Sequence, residues 1–184
     1  MVTDVKYTAV SGFEVVSLAN AKKHLRIEAT FTDEDTLIQS YIDAAVVNAE
    51  NYIGGHIAQK DMVIKMDAFA KEFSFEAFPV ISVTSVKYYP KDSETEETMN
   101  TADYYLTSVN PKVNKLTFKI TPDTANRYDA VTVTIKVGYE ASKIEKPILQ
   151  AIKLQIADMY ERREDRTEVT LTAAMALLRP YKKF

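Results

Sequence analysis

The apolar residues of this 184-residue chain change their spacing twice, and no other feature of the sequence constrains the fold as strongly. From about Gln59 to Tyr139 they alternate with polar residues in short segments rich in Val, Ile, Thr, Tyr and Phe, which is the period of half-buried strands. On either side they recur every three or four residues, which is the period of helices with one apolar face. The order is therefore helices, then strands, then helices.

After a polar N-terminal arm, Ser17 stands where its hydroxyl can cap a short helix carrying Leu18, Ala21 and Leu25 on one face. A loop follows at 28–31. Thr32 sits three residues before Asp35 in a capping-box arrangement, with Asp33, Glu34 and Asp35 placing negative charge at a helix N-terminus. The second helix carries Leu37, Ile38, Tyr41, Ile42, Ala45, Val46, Ala49, Tyr52 and Ile53, and Gly54-Gly55 supplies its stop. Among the strands, Val131, Val133, Ile135 and Val137 share one face opposite Thr132, Thr134 and Lys136; Leu116, Phe118 and Ile120 repeat the pattern. The polar run 91–98 reads as an exposed connection after a strand at 82–89, and such close spacing predicts antiparallel pairing. Pro147 opens a third helix with a stripe of Ile148, Leu149, Ile152, Ile156, Met159 and Tyr160, ending near Glu164. A short apolar helix spans 171–178 and stops at Pro180, before a basic tail.

These elements predict one α+β domain over 1–184. An N-terminal helical pair (17–55) packs with C-terminal helices (145–180), and an antiparallel β meander or small sandwich is inserted at 59–140.

Composition removes whole function classes. With no cysteine there is no disulfide framework, thiolate metal site or cysteine nucleophile. A net charge of −3 argues against a surface that tracks a phosphate backbone throughout, although the segment from Lys143 onward is mildly basic and the rest acidic. No apolar run approaches the ~20 residues of a membrane-spanning helix, and no signal-peptide layout is present, so the chain is read as made in the cytoplasm without a membrane partner.

Candidate chemistry is sparse. His24 and His56 are the only histidines and neither has partners at metal-ligand spacing. Asp33, Glu34 and Asp35 lack the glycine turn and terminal glutamate of a calcium loop, so helix capping accounts for them. No Gly-x-Gly-x-x-Gly, P-loop or serine elbow occurs, and no cofactor, metal or catalytic residue is assigned. Arg162, Arg163 and Arg166 have the forks to grip phosphate or a neighbour's carboxylates, yet Glu161, Glu164 and Asp165 interrupt them, so local ion pairing competes with a subunit or DNA contact. Leu154 falls on the polar side of its helix and is a candidate contact residue. Tyr88, Tyr89, Tyr104, Tyr105 and Tyr139 lie on strands, where cross-strand packing is favoured over base stacking.

Several runs, in order, resemble phage and prophage head-tail connector (adaptor) proteins, a family often labelled as possible DNA-packaging proteins. They are Ser17-Leu18-Ala19-Asn20-Ala21-Lys22-Lys23-His24-Leu25-Arg26-Ile27, then Asp33-Glu34-Asp35-Thr36-Leu37-Ile38 and Tyr41-Ile42-Asp43-Ala44-Ala45. Phe78-Pro79-Val80-Ile81-Ser82-Val83-Thr84-Ser85-Val86-Lys87-Tyr88, Val137-Gly138-Tyr139, Pro147-Ile148-Leu149-Gln150-Ala151-Ile152 through Tyr160-Glu161-Arg162-Arg163-Glu164, and Leu177-Leu178-Arg179-Pro180-Tyr181 follow. The resemblance spans roughly 17–181. It implies a non-enzymatic structural subunit in the virion, a homo-oligomeric ring between the portal protein and a tail-side connector or stopper, with packaged DNA passing through. Rings of this kind are expected to close through helical and strand-edge contacts between copies, since closed symmetry satisfies exposed edges. The alternative readings are a DNA-binding packaging accessory acting through the 162–166 region, whose binding would weaken steeply with salt, and, behind it, a metal-dependent hydrolase.

Overall fold

A computed structural model describes residues 1–109, 113–162 and 172–182. Eight strands and four α-helices are found among them. In chain order they are β1 (Val2–Ala9), α1 (Leu18–Leu25), α2 (Asp35–Ile53), β2 (Lys60–Met66), β3 (Glu72–Glu76), β4 (Val80–Tyr88), β5 (Glu97–Thr98), β6 (Tyr104–Ser108), β7 (Val113–Phe118), β8 (Val131–Val137), α3 (Lys146–Glu161) and α4 (Ala173–Leu178). The chain divides into two compact units, one of 1–11 and 59–139, the other of 12–58 and 140–184. The fold is α+β: the helices of the two chain ends pack together, and an antiparallel β assembly is inserted between them in sequence.

In the helical unit, α2 packs along α3, α3 along α4 and α1 against α2. The core is built of small and β-branched side chains, with Ala21, Ile38, Ala45, Ala49, Ile53, Ile148, Ala151, Ile152 and Ile156 fully removed from solvent. Alanines at these positions let the helix axes approach while the isoleucines fill the gaps between turns. Helix ends follow local chemistry. The Ser17 hydroxyl accepts from the Asn20 N–H at 3.3 Å, and Thr172 does the same for Met175 at 3.2 Å. Gly54 takes a left-handed φ of 69° and donates its N–H to the Glu50 carbonyl at 2.9 Å, closing α2 where the glycine pair predicts.

The start of α2 differs from expectation. Glu34 is the N-cap residue and makes no side-chain cap bond, while the Asp35 N–H is bonded to the Thr32 carbonyl at 3.1 Å. No capping box closes there because the Asp35 carboxylate faces Lys22 instead. Helix α3 ends at Glu161 rather than near Glu164, a residue outside those described, as is Leu171.

In the β unit all strand pairs are antiparallel. A five-stranded sheet has the order β1-β2-β8-β4-β5 and a three-stranded sheet the order β3-β7-β6. Their apolar faces share one cluster, including Met62, Ile64, Met66, Val86, Leu116, Phe118, Val131, Val133, Ile135 and Val137. This is the small-sandwich alternative of the sequence reading. The alternation in β8 is complete, each odd-numbered residue from 131 to 137 being buried. Phe118 anchors the aromatic part, meeting Phe69, Phe73 and Tyr104 with ring centroids 5.0, 6.2 and 6.4 Å away.

Three local expectations change. The N-terminal arm is a strand, β1, paired with β2 over seven positions from Val2↔Met66 to Ala9↔Lys60. Ile120 lies beyond the end of β7 and is 53% exposed, because the strand partner that buries Leu116 and Phe118 does not extend to it. Within the polar 91–98 connection, Glu97 and Thr98 pair with Tyr88 and Lys87 as a two-residue strand.

Candidate subunit-contact surfaces

The helical unit carries an open groove of about 760 Å³ between α2, α3 and the start of α4. It is lined by Leu154 and Asp158, four residues apart on one face of α3, and by Arg162 just past the end of that helix. Tyr52 comes from α2, and Ala173 and Met175 from α4. The structure thus brings together two sequence-singled residues, Leu154 and Arg162. Leu154 is half-buried in the groove, and Arg162 is exposed at its rim with its Nε 4.0 Å from the Asp158 Oδ1. Arg163 and Arg166 lie outside the described residues. An apolar floor with an ion pair at the rim suits the side chains of a neighbouring protein surface better than a phosphate backbone, because the described guanidinium already faces a carboxylate.

Elsewhere in the helical unit the helices are fixed by charged groups. Lys22 is only 4% exposed. Its ammonium donates to the carbonyls of Ala29 (3.2 Å) and Phe31 and to the Asp35 carboxylate at 2.8 Å, satisfying three donors at once. One side chain thereby holds the α1–α2 loop against the N-terminus of α2. The signal was present: Lys22 is four residues after Leu18 and three before Leu25, on the apolar stripe of α1, where a solvated lysine does not belong. Glu34 accepts from the Tyr160 hydroxyl, joining α2 to α3. Glu50, 8% exposed, accepts from the Ile57 and Ala58 N–H groups at 2.8 and 2.9 Å and so shapes the chain after Gly54. The acidic trio at 33–35 therefore works partly through side-chain partners on other elements.

The β unit offers a different surface, its edges. All eight residues of β1 are exposed, and the strand stands at the end of the five-stranded order. Val5 and Tyr7 pair with Ile64 and Met62, so they project from the core side of the sheet, yet they remain 44% and 41% exposed. With Val2, Phe73 and Phe75 they line an open cavity of about 360 Å³. Partial burial there raises the Tyr7 hydroxyl above its usual pKa. At the opposite edge, β5 covers only Lys87 and Tyr88 of β4, leaving 80–85 without a strand neighbour on that side among the described residues.

The tyrosines largely pack. Tyr88 meets Phe69 edge-on at 5.4 Å and donates to Glu97 at 3.1 Å; its pKa is raised by burial first and by that bond to Glu97 second. Tyr104 is buried against Phe118, whereas Tyr105 is 49% exposed. The Arg127 guanidinium lies 3.9 Å over the Tyr89 ring and bonds Asp129 at 2.6 Å, which holds the Asp129 carboxyl below the usual carboxylate range. His24 and His56 are half-buried on separate segments. Among the described residues no three His, Asp or Glu side chains converge as a metal site would require, and no helix is long and apolar enough to cross a membrane.

The chain thus combines a helical bundle that carries an open groove with an inserted sandwich whose strand edges are exposed. The chain belongs to the phage gp6-like head-tail connector proteins, whose family model matches residues 15–117. It is a structural head-tail connector subunit. Solved structures share the fold over nearly the whole chain. A chain from the neck of an empty gene transfer agent (GTA) particle, computed with C6 symmetry, has a TM-score of 0.72 at 18% identity, covering 97% of this chain and 96% of that one. A chain of the native GTA virion gives 0.69 at 20% identity, with 99% and 96% covered. One from the native neck computed with C12 symmetry gives 0.71 at 17%, with 97% and 96% covered. No curated protein matches.

Proposed function

We propose that copies of this chain form a closed homo-oligomeric ring in the virion of a phage-like particle, between the portal protein and a tail-side connector or stopper, with packaged DNA passing through the lumen. The chain is made in the host cytoplasm and joins the particle there. The reading is carried by the family match over residues 15–117 and supported by the likeness to chains of sixfold- and twelvefold-symmetric particle necks. Leu154 and Arg162, which line the groove beside α3, contact a neighbouring subunit. The ring performs its role by holding position, without converting a substrate. Neither the family nor the groove favours the DNA-binding alternative.

Negative-stain microscopy of the purified full-length chain mixed with portal rings of its own particle tests this. Annular density added to one end of the portal is expected. Portals that stay bare across the accessible concentration range overturn the reading.

A further inference from the structure

We infer that the ring is closed by the five-stranded sheet itself: the outer edge of β1 in one copy pairs antiparallel with the 80–85 edge of β4 in the next. This rests on the ring reading above and specifies its interface.

Four observations carry it. First, β1 is eight residues long, contains no proline, and has one irregularity, between Val2 and Asp4. Proteins that must avoid edge-to-edge pairing shorten, bend or block such strands; from Asp4 to Ala9 this one runs in regular register with β2, long enough to pair on its outer side as well. Second, the two open edges of the sheet are different strands. Contact between unlike edges is head-to-tail and propagates around a ring, whereas β1 meeting another β1 would close at a dimer. Third, direction agrees. Along β1-β2-β8-β4 every neighbour is antiparallel, so β1 and β4 run in opposite directions. A copy placed beside β1 as a continuation of the sheet presents its β4 antiparallel, the pairing already used throughout and the more stable one.

Fourth, the side chains match by face. β4 is bulged between Val80 and Ser82 and again between Val83 and Ser85, and these shifts put Val80 and Val83, opposite Val137 and Ile135, both on the core side, as Val5 and Tyr7 of β1 are. Continuing the sheet sets these apolar residues side by side and covers the overhang lined by Val2, Val5 and Tyr7. On the other face, exposed Asp4, Lys6 and Thr8 come beside exposed Ser82. Main-chain hydrogen bonds then supply the affinity, and the apolar residues on the shared face select the register.

The chain has no cysteine, so introduced pairs report the contact directly. Three full-length double variants, Asp4→Cys, Lys6→Cys or Thr8→Cys, each combined with Ser82→Cys, alter only exposed positions and leave the core intact. They are assembled on portal rings, oxidised, and run on non-reducing gels. The inference expects a covalent ladder extending beyond dimers in at least one double variant, strongest in one register, with the corresponding single variants giving none. A companion variant, Val5→Glu, is expected to lower ring yield at least tenfold while the isolated chain keeps its circular dichroism spectrum. Rings that form normally but give no ladder in any register overturn this interface and leave the ring reading standing; so do ladders that stop at dimers. Failure of the unmodified chain to form rings on the portal overturns both.

Discussion

The two units solve the same problem, unsatisfied main-chain groups, in opposite ways. The helical unit closes its loose ends inward: Lys22 gathers two loop carbonyls and Asp35, and Glu50 gathers two N–H groups. The β unit has an almost wholly apolar interior, with Asn114 its one buried polar residue among those described, held by the Ala77 carbonyl at 2.8 Å. Its open strand edges are those of β1, β5 and the 80–85 part of β4 in one sheet and of β3 and β6 in the other. One unit satisfies its buried charges internally, and the other leaves strand edges open to a further strand. For a connector that divides the labour sensibly, since a fixed helical frame can present a surface while an open sheet edge recruits the next copy.

The comparison breaks first at Lys22. If buried charge organises the helical unit, Lys22→Ala leaves Asp35 and two loop carbonyls without their shared donor and costs about 3 kcal/mol of stability, the low end for removing one partner of a buried pair because Asp35 keeps some access to water. Urea denaturation followed by circular dichroism checks it, and a loss under about 1 kcal/mol would show the clamp to be incidental. The β unit answers to packing instead. Leu116 is fully buried between the sheets, and Leu116→Ala is expected to cost about 3 kcal/mol through lost transfer energy and a cavity. Leu116→Met, with similar volume, is expected to restore most of it, a rescue that a polar clamp would not show.

The smallest effect is electrostatic. Asp129, held by Arg127 and flanked by Lys65, has its folded pKa depressed, so the ionised carboxylate stabilises the fold above its unfolded value of about 3.9. That contribution disappears as pH falls through the lower, folded value. Asp129→Asn should therefore be less stable than the unaltered chain at pH 7, with the gap narrowing steadily as acid is added. A gap independent of pH would assign the effect to shape rather than charge.

What could be read from the sequence follows the same division. Helices α1, α2 and α3 and strand β8 announced themselves because each carries a full local period, and Ser17 and Gly54 marked ends by chemistry that acts within a few residues. Strand β1 did not, since its residues are exposed and it exists only because Lys60–Met66, distant in sequence, offers an edge. The 33–35 acidic run was read as capping, whereas the partners of Glu34 and Asp35, Tyr160 and Lys22, are set by tertiary approach. Leu154 and Arg162 were legible as odd residues on α3, but the groove they share needed α2 and α4 in place.

Hydrogen exchange on the full-length chain, free and assembled on portal rings, tests the central contrast most directly. The account predicts that assembly slows exchange of the main-chain amides of β1 and of 80–85 in β4, while amides in the cores of α2 and β8, already protected in the free chain, change little. Exchange at both sheet edges that is as fast in the ring as in the free chain would contradict it.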